Sequence, residues 1–145
     1  QHVPETHLIP LMLDAIAGKR SALTVFGSDY PTPDGTCIRD YVHVSDLVDA
    51  HVLGLKWLEA GKDSSVFCLG SGNGFSVREV IARSRDVTNQ EVPIIEGARR
   101  PGDAAKLVSG SHRAVTELGW QPKRSDLRTM ITDAWRWHQT PDYER

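Results

Sequence analysis

The chain interleaves helix-period apolar stripes with β-forming runs no longer than nine residues, and that interleaving places it in the α/β class. "LIPLMLDAIAGKR" sets Leu8, Leu11, Met12, Ala15 and Ile16 on one face, with Pro10 in the first turn and Gly18 as the stop. "SALTVFG" reads as a short strand ended by Gly27. A loop with two prolines and a glycine, "SDYPTPDGTCIRD", follows. Residues 45–58 carry a helix pattern, with Ser45 or Asp46 as N-cap and Gly61 past its end. "SSVFCLGSG" is a continuous apolar run between turn residues, as in a buried parallel strand. Ser76 and Glu79 form a capping box at the head of "SVREVIARSRDV", with Phe75 able to staple onto Val80. "EVPIIEG" is another short strand. "SHRAVTELGW" is a helix capped by Ser111 and stopped by Gly119. A last helix opens at Ser125, carries Leu127, Met130, Ile131, Ala134 and Trp135 on one face, and is closed by Pro141.

This supply of strands is thin. A buried parallel strand needs a neighbour on each side, and the chain does not obviously contain both. Gln1 is not a methionine, and "QHVPETHL" has the character of a connector. The expectation is a piece of something longer, with part of its sheet elsewhere.

The 145 residues suffice for one domain with a core. A net charge of −2 gives no bulk attraction to nucleic acid or to an acidic membrane. No apolar run approaches the roughly 18 residues of a membrane span. Cys37 and Cys68 match no metal spacing and read as free thiols of a reducing cytoplasm. None of the six histidines has metal-ligand partners in the sequence, so no metal is expected.

Three stretches carry candidate binding chemistry. Arg39 is delivered by a loop to a helix start, where a guanidinium and free N–H groups suit a phosphate; pairing with Asp40 or Asp46 is the structural alternative. In "EGARRPGD", Arg99 and Arg100 precede a Pro-Gly turn and Asp103. Such a turn can neutralise a phosphate while its carboxylate accepts from a ribose diol, or it can be a solvated arginine pair. "LTVFG" can offer a strand edge and the Phe26 ring to a flat base, or bury that ring in the core. "GSGNG" lacks both GxGxxG spacing and a Lys-Ser/Thr ending, and reads as a tight turn. Trp120, Trp135 and Trp137 read as packing residues.

In chain order, "PETHLIPLMLDAIAGKR", "LTVFGSDYPTPDGTCIRDYVHVSDLVDAHVLGL", "FCLGSGNGFSVREVI", "ARRPGDAAKLVSG" and "ELGWQPKRSDLRTMITDAWRWHQ" resemble the C-terminal part of the UDP-glucose 4-epimerase family. That family lies within the extended short-chain dehydrogenases/reductases. The resemblance runs over essentially the whole chain, and "FGSDYPTPDGTCIRDYVHV" is its most specific piece.

The resemblance implies a two-part protein: an N-terminal Rossmann domain holding NAD, and a C-terminal portion, here residues 1–145, holding a UDP-sugar. It implies interconversion of UDP-glucose and UDP-galactose by hydride removal and return at C4, a place in galactose metabolism, and a homodimer formed through N-terminal helices. The proton-transferring Tyr of a YxxxK motif belongs upstream. Tyr30, Tyr41 and Tyr143 have no Lys four positions on, and no Rossmann glycine fingerprint is present, so no catalytic residue is expected in this chain and it is expected to be inactive alone. By the same resemblance, Leu23, Thr24, Val25 and Phe26 read uracil, Arg39 and Arg100 grip the diphosphate, and Asp103 holds the ribose. His7 stands where the family commonly has an Asn that touches the diphosphate. Leu107 stands where residue size limits the sugar, and its bulk implies glucose and galactose rather than N-acetylated sugars. Tyr41 and His43 fix the lip of the site.

Overall fold

The computed structural model describes residues 4–140. Five helices and five very short strands follow one another: α1 (Leu8–Ile16), β1 (Leu23–Phe26), β2 (Ile38–Asp40), α2 (Val44–Glu59), β3 (Gly74–Ser76), α3 (Val77–Thr88), β4 (Ile94–Gly97), β5 (Lys106–Leu107), α4 (His112–Leu118) and α5 (Leu127–His138). β1 pairs in parallel with β4, Leu23 opposite Ile94 and Phe26 opposite Gly97. β2 lies between β3, antiparallel, and β5, parallel. The mixed α/β class and the scarcity of strand are as the sequence indicates.

The core forms where the α1, α3 and α5 stripes meet over β1. Met12, Val80 and Ile131 are fully buried there, with Leu13, Leu23 and Val25 almost so. The Ser76–Glu79 capping box is present, and Phe75 joins the same cluster as Val80. A smaller cluster gathers Ala50, Ala114 and Trp120, whose indole N–H donates to the Asp46 carbonyl at 2.7 Å.

Several local readings are corrected. Residues 64–70 form no ladder and are mostly exposed, with Val66 81% accessible; the apolar run is a strand in composition, yet no described strand lies beside it. α2 starts one residue after His43, whose Nδ1 accepts from the Ser45 N–H at 3.0 Å. Asp46 cannot cap because it is drawn inward, accepting from the Lys123 and Arg124 N–H groups at 2.9 Å each and from Ser125 Oγ at 2.6 Å. With Ser125 so engaged, Asp126 caps α5 instead. Ser111 stands at the start of α4 without a side-chain cap bond. Trp137 is exposed rather than packed. Pro141 and Tyr143 lie outside the described residues.

α2 turns a narrow polar and small-residue face inward. Asp46 and Ala50 face inward, while Val44, Leu47, Val48, Val52, Leu55 and Leu58 are all exposed. One helix thus presents six large apolar side chains to water.

Candidate functional site: a cationic cleft at the edge of β1

β2 lays out one wall by strand periodicity. Cys37, Arg39 and Tyr41, spaced by two, line a cleft of about 460 Å³. Asp40, on the opposite face, accepts from Ser71 N–H and Ser109 N–H at 3.1 Å each and from Ser71 Oγ at 2.5 Å, tying β2 to the two following loops. Arg39 is oriented by its own backbone and by β5. Its Nη1 donates to the carbonyls of Ile38 and Ala104, each at 2.8 Å, and Nη2 lies 3.5 Å from Asp103 Oδ1. Neither Asp40 nor Asp46 pairs with it. Burial pushes the Tyr41 phenol up to about 12, so its hydroxyl stays protonated.

β1 makes the opposite wall through Leu23, Thr24 and Phe26. Val25, 1% accessible, points into the core and lies outside the lining. The Leu23 N–H donates to the Pro93 carbonyl at 2.8 Å and the Gly27 N–H to Gly97 at 2.9 Å, so odd-numbered main-chain groups serve β4. Thr24 and Phe26 therefore turn their N–H and C=O groups toward the free edge. Of the four strand residues read as base contacts, the geometry leaves Thr24 and Phe26 with backbone groups to offer.

The two adjacent arginines separate. Arg99 lies 4.2 Å over the Tyr30 ring and donates through Nε to Asp29 Oδ1 at 2.6 Å, and through Nη2 to the Asp29 carbonyl, locking the loop after β1. Arg100 instead lies 4.0 Å over the Phe26 ring and lines the cleft with Asp103. The loop is itself cross-braced. Asp34 accepts from Thr36 N–H at 2.9 Å, from Thr36 Oγ1 at 2.7 Å and from Ser76 Oγ. Burial pushes the Asp34 carboxyl up, but these hydrogen bonds outweigh it and hold the group below its ordinary range.

Arg39, Arg100, Asp103, Leu23, Thr24 and Phe26 are thus brought into one cleft, although 80 residues separate the first from the last in sequence order. His7 and Leu107 are not among the lining residues. His7 stands at the N-cap position of α1 without a side-chain cap bond, its exposed ring placing Nδ1 2.7 Å from Glu5 Oε1. Leu107 is 56% exposed, beside Arg39 in the β2–β5 register. Glu5, Thr6, Leu8, Leu11, Arg20, Cys37, Tyr41 and Val77 complete the lining. For Cys37 and Tyr41 the two-residue spacing from Arg39 is the legible signal; Arg20 and the residues before α1 give none.

Two guanidinium groups lining one cleft suit two adjoining phosphates. A carboxylate at its rim suits vicinal hydroxyls, and a free strand edge suits the hydrogen-bonding edge of a base. The residues described here do not fit an NAD cradle. The "GSGNG" turn has a different use for its glycines: a Cβ at Gly70 would come 2.5 Å from the Ser109 carbonyl and 2.6 Å from Asp40 Oδ2. Among the described residues no His/Cys/Asp/Glu group could hold a metal, and no helix is long and apolar enough to cross a membrane.

The family described as "NAD dependent epimerase/dehydratase" matches residues 1–70. Over nearly its whole length the chain is similar to UDP-glucose 4-epimerases. It is 50% identical over 138 residues to the enzyme of Lacticaseibacillus casei, a match covering 95% of this chain and 42% of that one. A UDP-glucose 4-epimerase crystal structure superposes with a TM-score of 0.94 at 53% identity, covering 98% of this chain and 43% of its own. The enzyme of Bifidobacterium longum, solved with NAD+ and UDP, gives 0.86 at 34% identity, covering 94% and 40%. The chain therefore spans about two fifths of the length of the relatives it matches.

Proposed function

We propose that this chain is the UDP-sugar-holding portion of a UDP-glucose 4-epimerase, which interconverts UDP-glucose and UDP-galactose by hydride removal and return at C4 in galactose metabolism. The observation that carries the reading is the cleft: Arg39 and Arg100 for the diphosphate, Asp103 for the ribose, and the open edge of β1 for uracil. In this reading the diphosphate never reacts. Its charge-assisted contacts, each contributing about 1.5–3 kcal/mol, hold the sugar in register for chemistry done elsewhere. No step at the reacting carbon is assigned to residues of this chain, and the chain alone is inactive.

NAD and the Tyr-Lys pair belong, on this proposal, to a Rossmann domain in the remaining three fifths of a relative-length protein. The outward apolar face of α2 and the unpaired run at 64–70 support it, since a parallel α/β sheet would cover the first and pair with the second. On this proposal Leu107, next to Arg39 across the β2–β5 ladder, limits the sugar beyond the diphosphate. His7, at the head of α1, is a further candidate contact on closure. The whole protein is proposed to be a cytoplasmic homodimer, its dimer contact outside this chain.

The test is a thermal melt of the chain without ligand, with UDP and with NAD. UDP at 100 times its dissociation constant contributes about 2.7 kcal/mol, a rise of several degrees at this size. A rise with UDP and none with NAD is expected. A cooperative melt that ignores UDP overturns the assignment of the cleft.

A further inference from the structure

The β1 ladder fixes which backbone groups remain for a ligand, and it also locates a side chain that the cleft's assigned contacts leave out. With odd residues turned to β4, the even series Ala22, Thr24 and Phe26 faces the open edge. Arg20 is fastened to the first of these: its Nε donates to the Ala22 carbonyl at 3.0 Å. The guanidinium is thereby held at the head of the same edge, two residues before Thr24, and it lines the same cleft. Arg39 is held on Ile38, Ala104 and Asp103, and Arg100 is seated on Phe26, each by contacts that leave N–H groups for the diphosphate. The Nη hydrogens of Arg20 have no hydrogen bond or ion pair among the described residues.

A uracil presents a carbonyl, an imide N–H and a second carbonyl in a row. Along the open edge the Thr24 carbonyl can accept from the imide N–H, and the Phe26 N–H can donate to one flanking carbonyl. The other carbonyl then falls toward the Ala22 end, where a forked donor stands ready. We propose that Arg20 closes the base subsite, donating through its free Nη hydrogens to that second carbonyl of uracil. The inference rests on the UDP-sugar reading and adds a residue to it. The fork is already immobilised through Nε, so binding it orders little further side-chain freedom.

Calorimetric titrations with UDP and with inorganic pyrophosphate test it, on the wild-type chain, Arg20→Gln, Arg20→Lys and Arg100→Gln. Arg20→Gln is expected to weaken UDP about tenfold, as loss of a charge-assisted hydrogen bond does, and to leave pyrophosphate unchanged. Arg20→Lys, which keeps charge without the fork, should behave like Arg20→Gln. Arg100→Gln should weaken both ligands. Equal losses of UDP and pyrophosphate in Arg20→Gln would make Arg20 a diphosphate cation and overturn the proposal, as would full UDP affinity in either Arg20 variant. If Arg100→Gln responds while Arg20→Gln does not, the cleft assignment stands and only the role of Arg20 falls. If the wild-type chain binds neither ligand, both readings fall together.

Discussion

The Arg100 guanidinium rests on the Phe26 ring at 4.0 Å, which makes the end of β1 and the turn after β4 one unit of the cleft. Replacing Phe26 with Leu removes that platform. The expected result is a two- to fivefold weaker UDP complex, from a cation–π contact of about 0.5–1 kcal/mol. Pyrophosphate should weaken as well, because Arg100 loses its seat. Unchanged pyrophosphate affinity in calorimetry would show that the ring does not position the guanidinium.

Arg39→Ala should have two effects. The loss of a diphosphate contact is expected to weaken UDP roughly tenfold or more. The loss of the bond to the Ala104 carbonyl, which ties β2 to the stretch leading into β5, should lower the melting midpoint in the absence of ligand. Arg39→Lys, with a point charge in place of the fork, should recover less than half of the lost binding free energy. A ligand-free melt identical to wild type would refute the tethering role.

Asp46 is 1% accessible and accepts three hydrogen bonds from residues 123–125, so it joins α2 to the approach of α5. Burial pushes its carboxyl up, but the bonds from Ser125, Lys123 and Arg124 outweigh it and hold the group below its ordinary value of 3.8. The unfolded chain then takes up its proton at higher pH than the folded one. The stability Asp46 contributes is complete above the ordinary range and is lost as pH falls through the folded value. Asp46→Asn should cost about 2–4 kcal/mol at neutral pH, and its melting midpoint should fall less steeply on acidification than that of wild type. Parallel slopes in a melt series between pH 6 and pH 3 would contradict this.

Gly35 closes the braced loop after β1 with φ +78, and a Cβ there would lie 2.1 Å from the Ser28 carbonyl. Gly35→Ala must both strain the left-handed backbone and push the loop apart, at about 2–3 kcal/mol. The midpoint should drop by roughly 5–10 °C. UDP affinity should fall with it, since the same loop is pinned by Arg99 behind β1. A wild-type melt would mean that the loop carries no strain-sensitive contact.

The exposed α2 face makes a prediction for the isolated chain. Val52→Glu with Leu55→Glu places charge on a surface that otherwise invites association, without touching the buried Asp46–Ala50 side. Light scattering should show less self-association than wild type, with an unchanged melting midpoint. A lowered midpoint would mean that these side chains already support the fold.

Apolar stripes placed α1 and α5, the Ser76–Glu79 capping box placed α3 and the β-forming run before Gly27 placed β1, because the residues carrying these signals are engaged within the chain. The strand reading of the apolar run failed at 64–70, where composition answers to surroundings that the described residues do not supply. The helix starts at His43 and Asp126 were misread for a different reason. Ser125 and Asp46 are good caps by residue type, but each is claimed by a partner about 80 residues away, and a cap cannot also serve a buried network.

The sequence by itself determined the class of fold, the charged and aromatic residues of the cleft, and their separation into a strand edge, a guanidinium pair and a carboxylate. Which of them can act was decided only by the tertiary structure. Arg99 and Arg100 are neighbours with identical side chains, yet one locks a loop and the other faces the cleft. Thr24 and Phe26 keep their backbone groups, while Leu23 gives its own to β4. The reason is that a side chain's chemistry is local, whereas its direction and its free hydrogen-bonding groups depend on what the rest of the fold has already engaged.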